Sequence, residues 1–287
     1  VSAYFTPLRY PGGKGKVSAF VKAIFRANGI VGGTYVEPYA GGAGVAMELV
    51  IHEFAERVFI NDIDRSVWAF WHSVLHETTA LCDLIADTPV TIDTWHAQKE
   101  VQRNAARADA LALGFSTFFL NRCNRSGILN AGVIGGYAQK GAWKLDARFN
   151  KDDLVKRIQL IGRHRERINL SRMDAVAFLQ RLAIDLDDDS FIYLDPPYYE
   201  KGGDLYEHHY QHEDHAQVAR AVMDLPEHVR WMVSYDDHDA IHEMYHGLQT
   251  IRYTLSYTAQ ARCRGREAIF FCPQLRIPEL QGSMLAA

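Results

Sequence analysis

A chain of 287 residues, 48% of them hydrophobic, can bury one large core and a subsidiary one. No apolar run approaches the ~20 residues of a membrane span, and no signal-peptide pattern opens the chain, so neither a membrane nor a secreted protein is expected. Cys82, Cys123, Cys263 and Cys272 show no C-x-x-C spacing, which suits reduced thiols in a cytoplasmic protein.

Helical periodicity first appears over 16–27, after the glycine-rich stretch Arg9-Tyr10-Pro11-Gly12-Gly13-Lys14-Gly15-Lys16. That stretch does not satisfy G-x-x-x-x-G-K-[ST] in any register, and no strand precedes it, so a P-loop is excluded. A strand is expected at 34–38. It runs into Glu37-Pro38-Tyr39-Ala40-Gly41-Gly42-Ala43-Gly44, a glycine-rich turn that opens a helix over 43–54. Glycines let the backbone approach a ligand closely, and a helix N-terminus favours a carboxylate or phosphate. A second strand, 57–62, ends in Asp62 about twenty residues later, where a doubly wound fold grips ribose hydroxyls.

From 65 to 165 the pattern is mostly helical, with helices at 65–76, 96–121 (with a break) and 151–165, and a glycine-rich loop at 125–150. Residues 102–172 hold 14 Lys/Arg against 5 Asp/Glu, a balance of +9. The remainder carries 17 basic against 30 acidic residues, or −13. The net charge of −4 therefore hides one basic segment, an asymmetry that points to a polyanion on one side. For any single Arg, a solvated helix face is the better explanation of the charge.

Strands resume at 167–172, 189–194, 229–234, 248–257 and 267–272, with helices at 174–183, 213–225 and 238–246. Alternating strands and helices predict an α/β fold, doubly wound and mostly parallel, with its site at the carboxyl ends of the strands. The strand 189–194 stops at Asp195-Pro196-Pro197-Tyr198. Two prolines fix two φ angles and remove two backbone donors, so this turn offers carbonyl and carboxylate acceptors beside a flat ring. Such a set suits a planar group with an exocyclic NH2: the Tyr198 ring stacks while Asp195 and the Pro196 carbonyl accept the amine hydrogens. The same four residues can also serve as a simple strand-ending turn. His208, His209, His212 and His215 fall close together, but zinc would need three or four of them converging. A loop that closes about Gly202-Gly203 fits better, and no metal is expected.

The DPPY run, the acid-first glycine turn and the aromatic-x-Gly-Gly-Lys opening together resemble the Dam-like, D12-class DNA adenine-N6 methyltransferases. Further matches are Asn121-Arg122 with Gly127, and Arg266-Glu267 before a terminal strand. The resemblance covers nearly the whole chain. It implies a seven-stranded Rossmann-like sheet with a terminal antiparallel hairpin, and a discontinuous catalytic domain (1–64 and 167–287). A helical target-recognition domain (65–166) interrupts it. It implies S-adenosylmethionine as cofactor, with Tyr10 and Lys14 near its methionine end and Asp62 on its ribose. Glu37, Tyr39, Gly41 and Asp195 would line the same site. Asp174 would meet its adenine, a role that competes with capping the helix it precedes.

On the substrate side the resemblance implies double-stranded DNA with a flipped-out adenine, bound by a monomer, with a cognate restriction nuclease as a candidate partner. Asn121, Arg122, Arg125, Asn130 and Lys140 would contact the DNA. Alignment through Gly127 puts Arg125 where relatives carry a wedging aromatic and Asn130 where they carry a guanine-reading arginine. Asparagine pairs best with adenine, so the expected site is not GATC. RNA adenine, another planar amine, or a catalytically silent nucleic-acid-binding module are the alternatives.

Overall fold

The computed structural model describes residues 5–9, 15–200, 210–258 and 262–279. Seven strands form one sheet: β1 (Gly33–Glu37), β2 (Ala55–Asn61), β3 (Ile168–Ser171), β4 (Ser190–Leu194), β5 (Arg230–Asp236), β6 (Gln249–Thr258) and β7 (Arg262–Phe271). Their order is β3-β2-β1-β4-β5-β7-β6, and only β7 runs against the others. This is the doubly wound, mostly parallel sheet that the alternation of elements predicts, ending in the expected antiparallel hairpin. Sequence order reverses between β1 and β4, so their carboxyl ends form the topological switch point where ligands bind in open α/β sheets.

Burial explains the strand composition. All five residues of β4 and four of five in β1 are buried, because helices cover both faces of a parallel sheet. The helices are α1 (Gly15–Asn28), α2 (Gly44–Ile51), α3 (Arg65–His76), α4 (Thr78–Asp87), α5 (Ile92–Arg103), α6 (Ala110–Cys123) and α7 (Lys151–Gly162). After β3 come α8 (Ala175–Leu182), α9 (His212–Met223) and α10 (Asp239–Met244). Asp64 caps α3 after β2, and Asp174 caps α8 after β3, so two strand-to-helix turns on the same edge use one device.

Three expectations need correction. The stretch expected as one broken helix at 96–121 is two, α5 and α6, separated by Asn104–Asp109, where Asp109 restarts the helix by accepting from Ala112 N. Helix α4 was not expected. Its ten residues include two threonines and two aspartates, leaving only Leu81, Cys82 and Ile85 as a short buried stripe. Strand β7 also begins five residues earlier than expected, so Arg266 and Glu267 lie within it rather than before it.

Candidate active site

The glycine turn is shaped by groups reaching in from neighbouring strand ends. Gly41 lies in the left-handed region (φ 46°), and so does Ala43 (φ 43°), an uncommon place for a residue with a Cβ. Asp62 Oδ2 accepts from Gly41 N at 2.8 Å, and Asp62 Oδ1 from Asp64 N at 3.0 Å. Burial pushes the Asp62 carboxyl up to about 7 despite these two donors. Asn61, itself buried, donates to Pro38 O and Met173 O at 3.0 Å each, and accepts from Met173 N at 2.9 Å. Its amide thus ties the first turn to the end of β3. The indole of Trp71 in α3 donates to Gly41 O at 2.9 Å. Glu37 is buried at the end of β1.

The second turn, Asp195 to Glu200, sits one strand away. Asp195 Oδ1 accepts from Ser234 Oγ at 2.7 Å, and Ser234 in turn lies 2.9 Å from the Tyr193 hydroxyl. This chain from β4 through β5 fixes the plane of the carboxylate. Tyr198 donates to Glu267 Oε1 at 2.5 Å, and Tyr253 donates to the other Glu267 oxygen, so a buried β7 carboxylate holds the ring's far end. Asp236, the last residue of β5, accepts from Tyr199 N at 2.8 Å and Glu200 N at 3.0 Å. The turn's exit is therefore gripped by one carboxylate at two amides.

A wall of aromatic rings joins the two turns. Tyr39 and Tyr210 hydroxyls are 3.2 Å apart, linking the first turn to the segment that enters α9. His215 is buried beside Tyr199, Tyr210 and Tyr235, with Nδ1 at 3.1 Å from the Tyr235 hydroxyl. Burial drives its pKa down to about 4, so it is neutral at physiological pH. His212 Nδ1 lies 3.0 Å from Tyr199 Oη. Both described histidines of the cluster thus serve tyrosines. Among the described residues, no group of three or more His, Cys, Asp or Glu could hold a metal ion. Tyr10, Lys14, His208, His209 and the Gly202-Gly203 hinge lie outside the described residues.

Asp174 takes the helix-capping role, accepting from Val176 N and Ala177 N at 3.0 and 3.1 Å. The sequence missed Asn61, Trp71, Ser234 and Asp236. One signal was available: like Asp62, Asp236 is an acid at a strand's carboxyl end.

The expected DNA contacts divide. Arg125, Asn130 and Lys140 are exposed on the loop after α6. Asn121 and Arg122 instead point inward, correcting the expectation that they reach DNA. The Asn121 amide accepts from Arg9 N at 2.7 Å and donates to Arg9 O and Gly127 O, both at 2.8 Å. Arg122 is 9% exposed and donates to Pro7 O. Burial, reinforced by Arg157 and Arg9, lowers its pKa to about 9. A guanidinium so placed is spent on the backbone of the N-terminal segment and cannot track a phosphate.

Residues 10–258 match the profile of the D12 class N6 adenine-specific DNA methyltransferases. No curated protein sequence matches the chain. Among solved structures, PH1948 from Pyrococcus horikoshii, described as a candidate RNA methyltransferase, is similar at 10% identity and a TM-score of 0.45. The alignment covers 94% of this chain and 89% of that one. A SAM-dependent methyltransferase from Agrobacterium tumefaciens aligns at 10% identity and a TM-score of 0.43, over 91% and 63%. The rRNA methyltransferase aviRa from Streptomyces viridochromogenes does so at 16% and 0.36, over 87% and 82%. Likeness this remote carries no argument about substrate.

Proposed function

Because the chain belongs to the D12 class of N6 adenine-specific DNA methyltransferases, we propose that it transfers a methyl group from S-adenosylmethionine to adenine N6 in duplex DNA. The observation that carries this reading is the Tyr193–Ser234–Asp195 chain, which orients a carboxylate one strand from a glycine turn at the switch point.

The donor set of the glycine turn fits the cofactor. Asp62 would accept from ribose hydroxyls, while Glu37, Tyr39 and Gly41 shape the neighbouring wall. Asp174 caps α8 through Oδ1, and its second carboxylate oxygen would face the adenine of the cofactor. When bound, S-adenosylmethionine supplies an electrophilic methyl group, so no metal or covalent enzyme intermediate is required. Tyr10 and Lys14 are assigned to the same ligand by family resemblance alone.

The residues of this chain supply the nucleophile's preparation. Adenine N6 is a poor nucleophile because its lone pair is delocalised into the ring. Asp195 and the Pro196 carbonyl would hold both amine hydrogens out of the ring plane and stabilise the positive charge that develops on nitrogen. Tyr198 would stack on the base, with Glu267 fixing its tilt. No general base is needed, since the methylated ammonium loses its proton readily. An adenine inside a duplex cannot reach this turn, so the base must leave the stack. The helical stretch 65–166 is the part proposed to lie on DNA, and residues 1–64 and 167–287 the catalytic part.

The test is transfer of labelled methyl from S-adenosylmethionine to duplex DNA, RNA and protein, followed by single-molecule sequencing of DNA from an expressing host. N6-methyladenine at a defined duplex site is the expected outcome. Transfer to RNA alone would move the substrate, and no transfer to any of them would leave a silent binding module.

A further inference from the structure

Gly41 is gripped at both of its backbone polar groups by one continuous stretch of chain. Its N–H donates to Asp62 Oδ2, and the other oxygen of that carboxylate accepts from Asp64 N. Asp64 then caps α3 through Ser66 N and Val67 N. About two turns further along the helix, the buried Trp71 indole comes back to donate to Gly41 O. Residues 62–71 thus close a circuit of hydrogen bonds on a single glycine. Helix α3 has little freedom to roll within that circuit. It packs on α6 at Gly114, where a Cβ would meet Ser73 Oγ at 2.5 Å and Ala69 O at 2.6 Å.

The circuit decides which way the turn presents its donors. In a trans peptide the C=O and the following N–H point in opposite directions, and among the described residues no peptide is cis. With Gly41 O turned toward α3, Gly42 N–H is turned away from it. Thr6 fixes the next peptide, its hydroxyl holding Gly42 O while Ala43 N closes on Ala40 O at 2.6 Å. Gly42 N is buried and meets no acceptor among the described residues. A buried backbone donor carries a cost until an acceptor reaches it. Any buried indole seeks an acceptor, but Trp71 has taken a carbonyl that sets the direction of this N–H.

Resting on the reading of the glycine turn as the S-adenosylmethionine site, we propose that Trp71 is a positioning residue for the cofactor, with Thr6 its counterpart on the next peptide. Trp71 acts through the Gly41–Gly42 peptide rather than by touching the ligand. Deleting the indole N–H frees that peptide to rotate, so the turn loses affinity without losing chemistry. Trp71 lies within the stretch 65–166 proposed to lie on DNA, so a residue of that stretch sets the grip on the cofactor. Trp68, on the same helix and half-buried, packs its ring on His72 instead and serves as the control.

The experiment compares wild type, Trp71→Phe, Thr6→Val and Trp68→Phe by calorimetry with S-adenosylhomocysteine, by duplex binding without cofactor, and by steady-state methylation. Trp71→Phe keeps a ring and deletes the donor, and Thr6→Val keeps the shape and deletes the hydroxyl. Each should raise the Kd for S-adenosylhomocysteine by roughly three- to tenfold, the worth of one neutral hydrogen bond, and the cofactor KM in step. Turnover at saturating cofactor and duplex affinity should stay at the wild-type level, and Trp68→Phe should leave the Kd unchanged. A merely structural role would lower the melting temperature and the binding stoichiometry but not the affinity of the folded fraction. An unchanged Kd in Trp71→Phe, or an equal rise in Trp68→Phe, overturns the proposal while leaving the cofactor assignment intact. If Trp71→Phe does not fold, an unchanged Kd in Thr6→Val overturns it. A wild-type protein that does not bind S-adenosylhomocysteine overturns the cofactor assignment and this inference with it.

Discussion

The two turns at the switch point are built alike and held differently. Each follows a buried strand, β1 or β4, and each is gripped by a carboxylate from the end of the next strand outward. For the glycine turn that carboxylate is Asp62, just after β2, holding a single amide of the turn, Gly41 N, with its other oxygen on Asp64 N. For the Asp195–Glu200 turn it is Asp236 at the end of β5, holding two amides in succession. Asp62 is strained electrostatically, its carboxyl raised to about 7 by burial. The Asp62 grip is therefore soft and protonation-dependent, while Asn61 and Trp71 hold the same turn through neutral donors. The grip on the other turn is a two-point clamp, suited to a carboxylate and a ring that must not move.

The largest effect should come from the clamped turn's own acceptor. Asp195→Ala is expected to cost at least ~10²-fold in kcat, by comparison with removal of one preorganised transition-state group. Its affinity for S-adenosylhomocysteine, read by calorimetry, should change by less than about threefold. Near-normal turnover would show that the turn is architecture alone.

Asp236 comes next. Asp236→Ala leaves Tyr199 N and Glu200 N without their acceptor, at a cost of about 1–3 kcal/mol in stability for each amide that stays buried. It should also lower kcat by on the order of tens, because the DPPY turn is no longer fixed at its exit. Asp236→Asn keeps one acceptor oxygen and should recover part of both. A fall in melting temperature with unchanged kcat would separate the clamp from catalysis.

The soft grip should show itself through pH. A carboxyl that titrates near 7 when folded and near 4 when unfolded holds a proton more tightly in the folded chain. Stability is therefore fullest below about pH 4 on this account and declines as pH rises through 7. Ribose hydroxyls donate to the anion, so S-adenosylhomocysteine affinity should move the opposite way, rising up to about tenfold between pH 6 and 8. Asp62→Asn should flatten that profile. A flat profile in the native protein would return Asp62 to a purely structural task.

Much of the site was legible in the sequence because strand ends and turn residues are local signals. Asp195-Pro196-Pro197-Tyr198, the glycine turn and the acid after β2 could all be read from chemistry and spacing. The partners that fix them could not, because Ser234, Asp236 and Glu267 reach the turn only through the strand order β4-β5-β7. Asn121 and Arg122 were read as DNA contacts from the family resemblance. Sequence carries no sign of which face of α6 they occupy, and that face is packed against residues 7–9.

That packing has a further meaning. Thr6 Oγ1 donates to Gly42 O of the glycine turn at 2.5 Å, while Arg157 donates to Thr6 O, Arg122 to Pro7 O, and Asn121 brackets Arg9. Four consecutive residues are therefore fastened at one end to the glycine turn and along their length to α6 and α7. A strap gripped at both ends transmits displacement instead of absorbing it. Linkage makes any such transmission symmetric: the factor by which occupancy of the glycine turn alters affinity at the insertion equals the factor in the reverse direction. If one ligand at the glycine turn and another at the helices couple through this strap, the order in which they bind is a matter of kinetics alone.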